Sequence, residues 1–156
     1  MRKALHALKY TSDRPLAEEL VRLSYPHWSM PTWTFDCLIP VPLGQERERS
    51  RGYNQAGLLA DALSRTTRIP LADRSLRRTR ETPSQVGLSC AERKQNMKDA
   101  FHATSVAGCK VLLVDDVCTT GATLLSCATA LTEAGAELVC AVTLARAPAP
   151  DDRRDS

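Results

Sequence analysis

The chain reads as an α/β protein built on a mainly parallel, twisted sheet flanked by helices, and three observations predict it. Residues 111–114 form an uninterrupted apolar run, Val-Leu-Leu-Val, the composition of a strand buried on both faces. A helical pattern from Ala122 to Ala134 and an apolar stretch from Glu137 to Leu144 follow it. Together they make a strand–helix–strand unit of about 35 residues, whose crossover is right-handed by the general rule. Upstream, Phe35 to Val41 reads as another strand, and a helix opens at Asn54. Ligands on such sheets sit outside the carboxyl ends of the strands.

The elements follow in order. Asp13 caps a first helix that tolerates Pro15 in its opening turn and carries Leu16, Leu20 and Leu23 at helical spacing toward Ser24. Pro26 and Pro31 end it. The Phe35–Val41 strand stops at Pro40-Val-Pro42, because proline cannot donate to a central ladder. A charged loop from Leu43 to Tyr53 leads to Asn54, which caps a helix with Leu58, Leu59, Ala62 and Leu63 on its apolar side. One or two short strands fit within 69–78, and a loop holding Pro83 and Gly87 covers 79–88. Ser89-Cys-Ala-Glu92 is a capping box for a short helix to Lys98, followed by a short strand over 101–104 and a turn at Ala107-Gly108. Gly135 stands just past the end of the Ala122–Ala134 helix, where glycine is favoured. Residues 147–156 alternate Ala and Pro before a polar end and are expected to be disordered, leaving one domain over 1–146.

Composition narrows the class. The 156 residues are 43% hydrophobic and 25% charged, as in ordinary globular chains, and the apolar runs are too short to span a bilayer. No secretory signal pattern follows Arg2 and Lys3, so a cytoplasmic protein is expected, with no membrane partner. Six cysteines at wide, irregular spacing, without a Cys-x-x-Cys pair, argue against a structural zinc site. Charge is unevenly spread: residues 40–100 hold 12 Lys and Arg against 7 Asp and Glu, whereas residues 101–156 hold 4 against 7. A basic middle beside an acidic edge suits a ligand carrying both phosphate and free hydroxyls.

The chemistry concentrates in Val111 to Thr123, Val-Leu-Leu-Val-Asp-Asp-Val-Cys-Thr-Thr-Gly-Ala-Thr. Thr119, Thr120, Gly121, Ala122 and Thr123 make a small, hydroxyl-rich turn at a helix start, which turns backbone N–H groups toward an anion. Asp115 and Asp116 repel that anion and are assigned instead to the hydroxyls of the same ligand. They precede the helix by too many residues to cap it. A phosphate joined to a diol is a ribose 5-phosphate. A receiver domain or aspartyl-phosphate phosphatase also has acids at a strand end, but neither explains Thr119 to Thr123. Cys118 lies in this turn without a neighbouring histidine base.

Two further segments are ambiguous from their residues alone. Arg47, Arg49 and Arg51 alternate with Glu46 and Glu48 and lead to Gly52 and Asn54. They read either as a solvated face or as a pyrophosphate contact at a helix start. Arg77, Arg78, Arg80, Thr82, Gln85, Arg93 and Asn96 belong either to a closing lid, with Arg78, Thr82, Gln85 and Arg93 as its contacts, or to an ordinary surface segment.

The Val111–Thr123 signature resembles that of the type I phosphoribosyltransferases. Pro40-Val-Pro-Leu43, Arg49-Ser-Arg-Gly-Tyr-Asn-Gln55, Thr82 to Gln85, Leu88, Ala91-Glu-Arg93, Asn96, Ala100-Phe101 and Thr143-Leu-Ala-Arg146 extend the likeness, which is to the ComF family, from about His6 to Arg146. The resemblance implies a type I phosphoribosyltransferase-like fold and binding of phosphoribosyl pyrophosphate or a related ribose phosphate. Thr119 to Thr123 would hold the 5-phosphate, Arg49, Arg51 and Gly52 would meet the pyrophosphate, and Asp115 and Asp116 would hold the ribose and, through water, Mg²⁺. It also implies a link to DNA uptake in natural competence or to nucleotide salvage. The implied activity is pentosyl transfer; the alternative is a non-catalytic ligand-sensing or interaction module that meets single-stranded DNA or a competence helicase. An oligomer is compatible with either. Two departures stand out. ComF-like proteins usually begin with a cysteine-rich, zinc-ribbon-like segment that is not seen before His6, and Thr119 stands where purine-salvage relatives place an acid.

Overall fold

The computed structural model describes Leu8 and residues 13–28, 34–44, 49–79 and 100–146. In chain order these form α1 (Arg14–Ser24), a short 3-10 turn (Tyr25–His27), β1 (Cys37–Pro40), α2 (Gln55–Thr67), β2 (Leu76–Arg78), β3 (Phe101–Ala103), β4 (Lys110–Cys118), α3 (Ala122–Glu133) and β5 (Leu138–Arg146). The expected helix over 89–98, most of the 79–88 loop and the 147–156 tail lie outside the described residues, as do Thr82, Gln85 and Arg93.

The main sheet has the order β1-β4-β5, parallel throughout, with Cys37 opposite Val111, Pro40 opposite Val114 and Asp115 opposite Thr143. Leu38 N–H points away from β4 and donates to Pro70 O at 2.8 Å. Pro40, two residues on, turns its missing donor to that same outer side, which is how a proline is accommodated at the end of a buried strand. β2 and β3 pair antiparallel as a separate ribbon, Arg78 opposite Phe101.

Strand alternation sorts the interior into two cores. Val111 and Leu113 point to one face, where Cys127 and Leu131 of α3 and Leu76, Phe101 and Ala103 of the ribbon close over them. Leu112 and Val114 point to the other, against Leu59 and Leu63 of α2 and Leu20 and Val21 of α1. A helical layer therefore covers each face.

The caps follow the sequence. Asp13 Oδ1 accepts Leu16 N–H at 3.0 Å and Asn54 Oδ1 accepts Ala56 N–H at 3.1 Å. Leu23 departs from expectation: it is 52% exposed, because the buried stripe of α1 runs through Ala17, Leu20, Val21 and Ser24 and the helical turn carries Leu23 off it. The signature strand also differs. It does not end at the acids but continues to Cys118, since β5 keeps pairing with it through Val117–Ala145 and Cys118–Arg146. Backbone pairing is indifferent to the carboxylates that the strand carries.

Candidate ribose phosphate site

Each parallel strand delivers its carboxyl end to one edge, and the site is assembled there. Three residues, Thr119 to Gly121, connect β4 to α3. Gly121 adopts φ 77° as the N-cap of α3, a left-handed conformation that costs other residues strain. Thr120 Oγ1 accepts Ala122 N–H at 3.4 Å, so the tight turn is braced by its own hydroxyl. The N–H groups of the first helical turn have no partners within the helix, and no acidic residue in that turn offsets the positive end of the dipole.

A cavity of about 30 Å³ opens between this turn and the strand, lined by Asp115, Val117, Cys118, Thr119, Gly121, Ala122, Thr123 and Leu124. The half-buried Asp115 stands on the α3 face, in step with Val111 and Leu113. Between Asp115 and Thr123, Asp116 and Thr120 do not line the cavity. Asp116 is one position along the strand and so faces the α2 layer, while its backbone N–H donates to Asp115 Oδ1 at 2.8 Å. Val117, Cys118 and Leu124 are lining residues to which no role was assigned from sequence. The two-residue repeat from Asp115 identifies Val117 once the strand is known to continue.

The α2 side brings a second helix start to the same edge. Val41 N–H donates to Val114 O at 2.9 Å, and Asn54 Nδ2 donates to Val41 O at 3.0 Å. This relay ties the N-terminus of α2 to the residue immediately before Asp115. Gly52, with φ 75°, and the half-buried Arg51 directly precede it, while Arg49 is exposed. Tyr53 anchors the segment by donating from its hydroxyl to Leu8 O at 2.9 Å; burial raises the phenol's pKa and nearby Arg51 opposes the rise. The paired acids thus lie between two helix N-termini, one on each face of the sheet.

Arg78 ends β2, with its guanidinium carbon 5.6 Å from the centre of the Phe101 ring. It belongs to a paired strand, and the 80–99 segment leaves and returns at the Arg78–Phe101 pair. Beneath the cavity, burial pushes the Cys127 thiol well up; Asp115 adds to that rise and Arg78 opposes it. Both charges therefore act on the α3 face. Among the described residues no group of three or more His, Cys, Asp or Glu forms a metal cage, and no helix is long and apolar enough to cross a membrane.

Comparison with known proteins agrees with this architecture. Residues 49–156 match the phosphoribosyl transferase domain family. Competence protein F of Haemophilus influenzae is 44% identical over 119 residues, which is 72% of this chain and 51% of that protein. The DNA utilization protein YhgH of Shigella flexneri is 38% identical over 141 residues, 86% of this chain and 62% of that protein. The chain thus spans between half and two thirds of the length of these relatives. Among solved structures, the B. subtilis glutamine phosphoribosylpyrophosphate amidotransferase, complexed with ADP and GMP, shares the fold with a TM-score of 0.53 at 22% identity, over 84% of this chain and 25% of that one. A parallel sheet layered by helices, a signature strand feeding an anion-ready helix start, and homologues named for competence and DNA utilization converge: the chain belongs to the phosphoribosyl transferase domain family, with competence protein F and DNA utilization proteins among its relatives.

Proposed function

We propose that this chain binds phosphoribosyl pyrophosphate, or a closely related ribose phosphate, together with Mg²⁺ at the carboxyl edge of its sheet. The observation that carries the reading is the cavity in which Asp115 faces the start of α3 across Thr119, Gly121 and Thr123. Thr119 to Thr123 bind the 5-phosphate through N–H and hydroxyl groups, Thr120 by holding the turn. Asp115, with Asp116 behind it, receives the ribose hydroxyls. Arg49, Arg51 and Gly52, at the start of α2, meet the pyrophosphate end.

The donor set fits a magnesium ion. Mg²⁺ favours one or two carboxylates completed by water and substrate oxygens over an all-protein cage, and Asp115, which lines the cavity, offers one such carboxylate, with Asp116 on the other face of the strand. When bound, the ion supplies positive charge to the pyrophosphate. The chain's own residues hold the sugar, place Asp115 where cationic character on the ribose is stabilised, and set Arg51 beside the departing charge. Arg78, at the end of β2, adds a positive charge on the α3 face of the same edge.

The names of the relatives support placing this chemistry in competence or the utilization of DNA; a cytoplasmic location is part of the same proposal. The same names are equally compatible with a second reading, a ligand-sensing module without turnover that meets single-stranded DNA or a helicase. Calorimetry with phosphoribosyl pyrophosphate and Mg²⁺ tests the site: saturable binding is expected for the wild type and none for the folded Asp115→Asn, Asp116→Asn double variant. Equal binding by both proteins rejects the assignment. Product assays with a panel of bases, beside salt-dependent binding to single-stranded DNA, then separate enzyme from module.

A further inference from the structure

Gln55 opens α2 and is only 4% exposed, yet its Nε2 has no hydrogen-bond partner among the described residues. One other buried side-chain atom among them shares that state, Ser24 Oγ in the last turn of α1. Such groups are uncommon, because a buried donor without an acceptor has given up water and gained nothing in exchange. The place of this one is informative. Leu59 and Leu63, one and two helical turns on, pack into the core that holds Leu112 and Val114, so Gln55 ends the buried row of α2 as Asp116 ends the matching row of β4. The hydrogen bonds from Asn54 to Val41 and from Val41 to Val114 bring both row ends to the carboxyl edge of the sheet. Side chains of a helix lean toward its N-terminus, which aims the amide at the mouth of α2. That mouth is electropositive: the helix is 13 residues long with no acid in its first turn, and half-buried Arg51 lies just before it.

We propose that Gln55 is a further binding residue of this site, its carboxamide N–H donating to the pyrophosphate oxygens and so distinguishing a pyrophosphorylated ribose from a ribose phosphate without that group. The proposal rests on the reading of the site as one for phosphoribosyl pyrophosphate. An amide with no acceptor for its Nε2 inside the protein turns to a ligand oxygen without giving up a hydrogen bond. Its three side-chain torsions carry the donor outward, while the Asn54 cap and the link to Val41 keep α2 in place. A charged oxygen is the acceptor that rewards the move most, since hydrogen bonds to ionised groups are the stronger ones and an anion at a helix start also gains from the dipole.

Titration calorimetry in the presence of Mg²⁺ with three probes, phosphoribosyl pyrophosphate, inorganic pyrophosphate and ribose 5-phosphate, tests the proposal on the wild type and on Gln55→Met, which keeps the length of the side chain and removes the donor. Gln55→Met should bind the two pyrophosphate compounds about tenfold or more weakly, the scale of a lost hydrogen bond to a charged group, and ribose 5-phosphate as the wild type does. Without ligand it should melt a few degrees higher, since an unsatisfied donor gives way to an apolar group of similar shape. Gln55→Leu should show the same pair of changes. Unchanged affinity for phosphoribosyl pyrophosphate in both variants overturns the proposal, and so does an equal weakening toward ribose 5-phosphate, which would put the amide elsewhere on the ligand. Melting of both variants below the wild type also overturns it, because the amide then has a partner inside the folded protein. A wild type that does not bind phosphoribosyl pyrophosphate rejects the underlying reading of the site and this proposal with it, an outcome told apart from the others by the wild-type titration alone.

Discussion

Asp115 and Asp116 are joined by a hydrogen bond from the backbone N–H of the second to Oδ1 of the first, 2.8 Å long, while their side chains serve opposite faces of the sheet. One carboxylate lines the cavity beside α3, and the other faces the layer whose helix begins at Asn54. Adjacent acids in a strand are thereby kept from pointing the same way, which moderates their repulsion.

The two acids should therefore respond unequally to neutralisation. Asp115→Asn removes the charge from the cavity and should weaken phosphoribosyl pyrophosphate binding by about tenfold or more, the scale of one charge-assisted contact. Asp116→Asn should weaken it less. Titration calorimetry of the two single variants checks the order, and equal losses would place both carboxylates on the same ligand group.

Gly121→Ala tests the turn. The added Cβ would lie 3.9 Å from Cys118 Sγ, an ordinary contact, so the penalty comes from φ 77° rather than from a clash. A cost of about 1–2 kcal/mol is expected, lowering Tm by about 2–4 °C per kcal/mol for a chain of this size. Phosphate affinity should fall as well, since relief of the strain reorients the N–H groups at the start of α3. Differential scanning calorimetry with and without ligand separates the two effects.

Asn54→Ala breaks both the α2 cap and the relay to Val41. Loss of the cap costs about 1 kcal/mol, and the carbonyl of buried Val41 loses its amide donor, which adds about 1–3 kcal/mol. Urea melts should show a lower midpoint with an unchanged slope. Asn54→Asp keeps the cap and should recover part of the loss.

Alkaline pH should destabilise the protein through its buried thiol. Burial holds the Cys127 thiol far above the ordinary thiol range, with Asp115 reinforcing the effect, so the folded state keeps a proton that the unfolded state gives up. The sign follows: stability is unaffected below the unfolded thiol's pKa, near 8.5, and declines above it by about 1.4 kcal/mol per pH unit for this one group. Cys37 and Tyr53, also raised by burial, add in the same direction. Denaturant melts from neutral to pH 10 should show a steeper decline for the wild type than for Cys127→Ala. Parallel slopes would mean that the thiol is not shielded in the folded state.

Much of the architecture was legible from local signals, because those signals are local in cause. Asp13 and Asn54 cap the helices expected of them, since a cap needs only its own side chain and an N–H two or three residues on. Gly135 ends α3 for the same reason. The signature strand, its turn and the following helix were readable as one unit, since an apolar run, small residues and helical spacing adjoin in the chain. The length of β4 was not. Its last residues carry acids and small groups, and only the partner strand shows that the ladder goes on.

By itself, then, the order of residues determined the element types, the parallel sheet and the small, hydroxyl-rich turn that opens α3 at the carboxyl edge of β4. Tertiary structure decided what depends on contacts between distant segments: that β5 prolongs β4 and so turns Asp115 and Asp116 to opposite faces, that Val41 links Asn54 to Val114, and that Arg78 rests on Phe101 above the same core as Cys127. The physical reason is the range of the forces involved. Capping and turn preferences act within a few residues, whereas strand pairing and burial join groups that the chain keeps far apart.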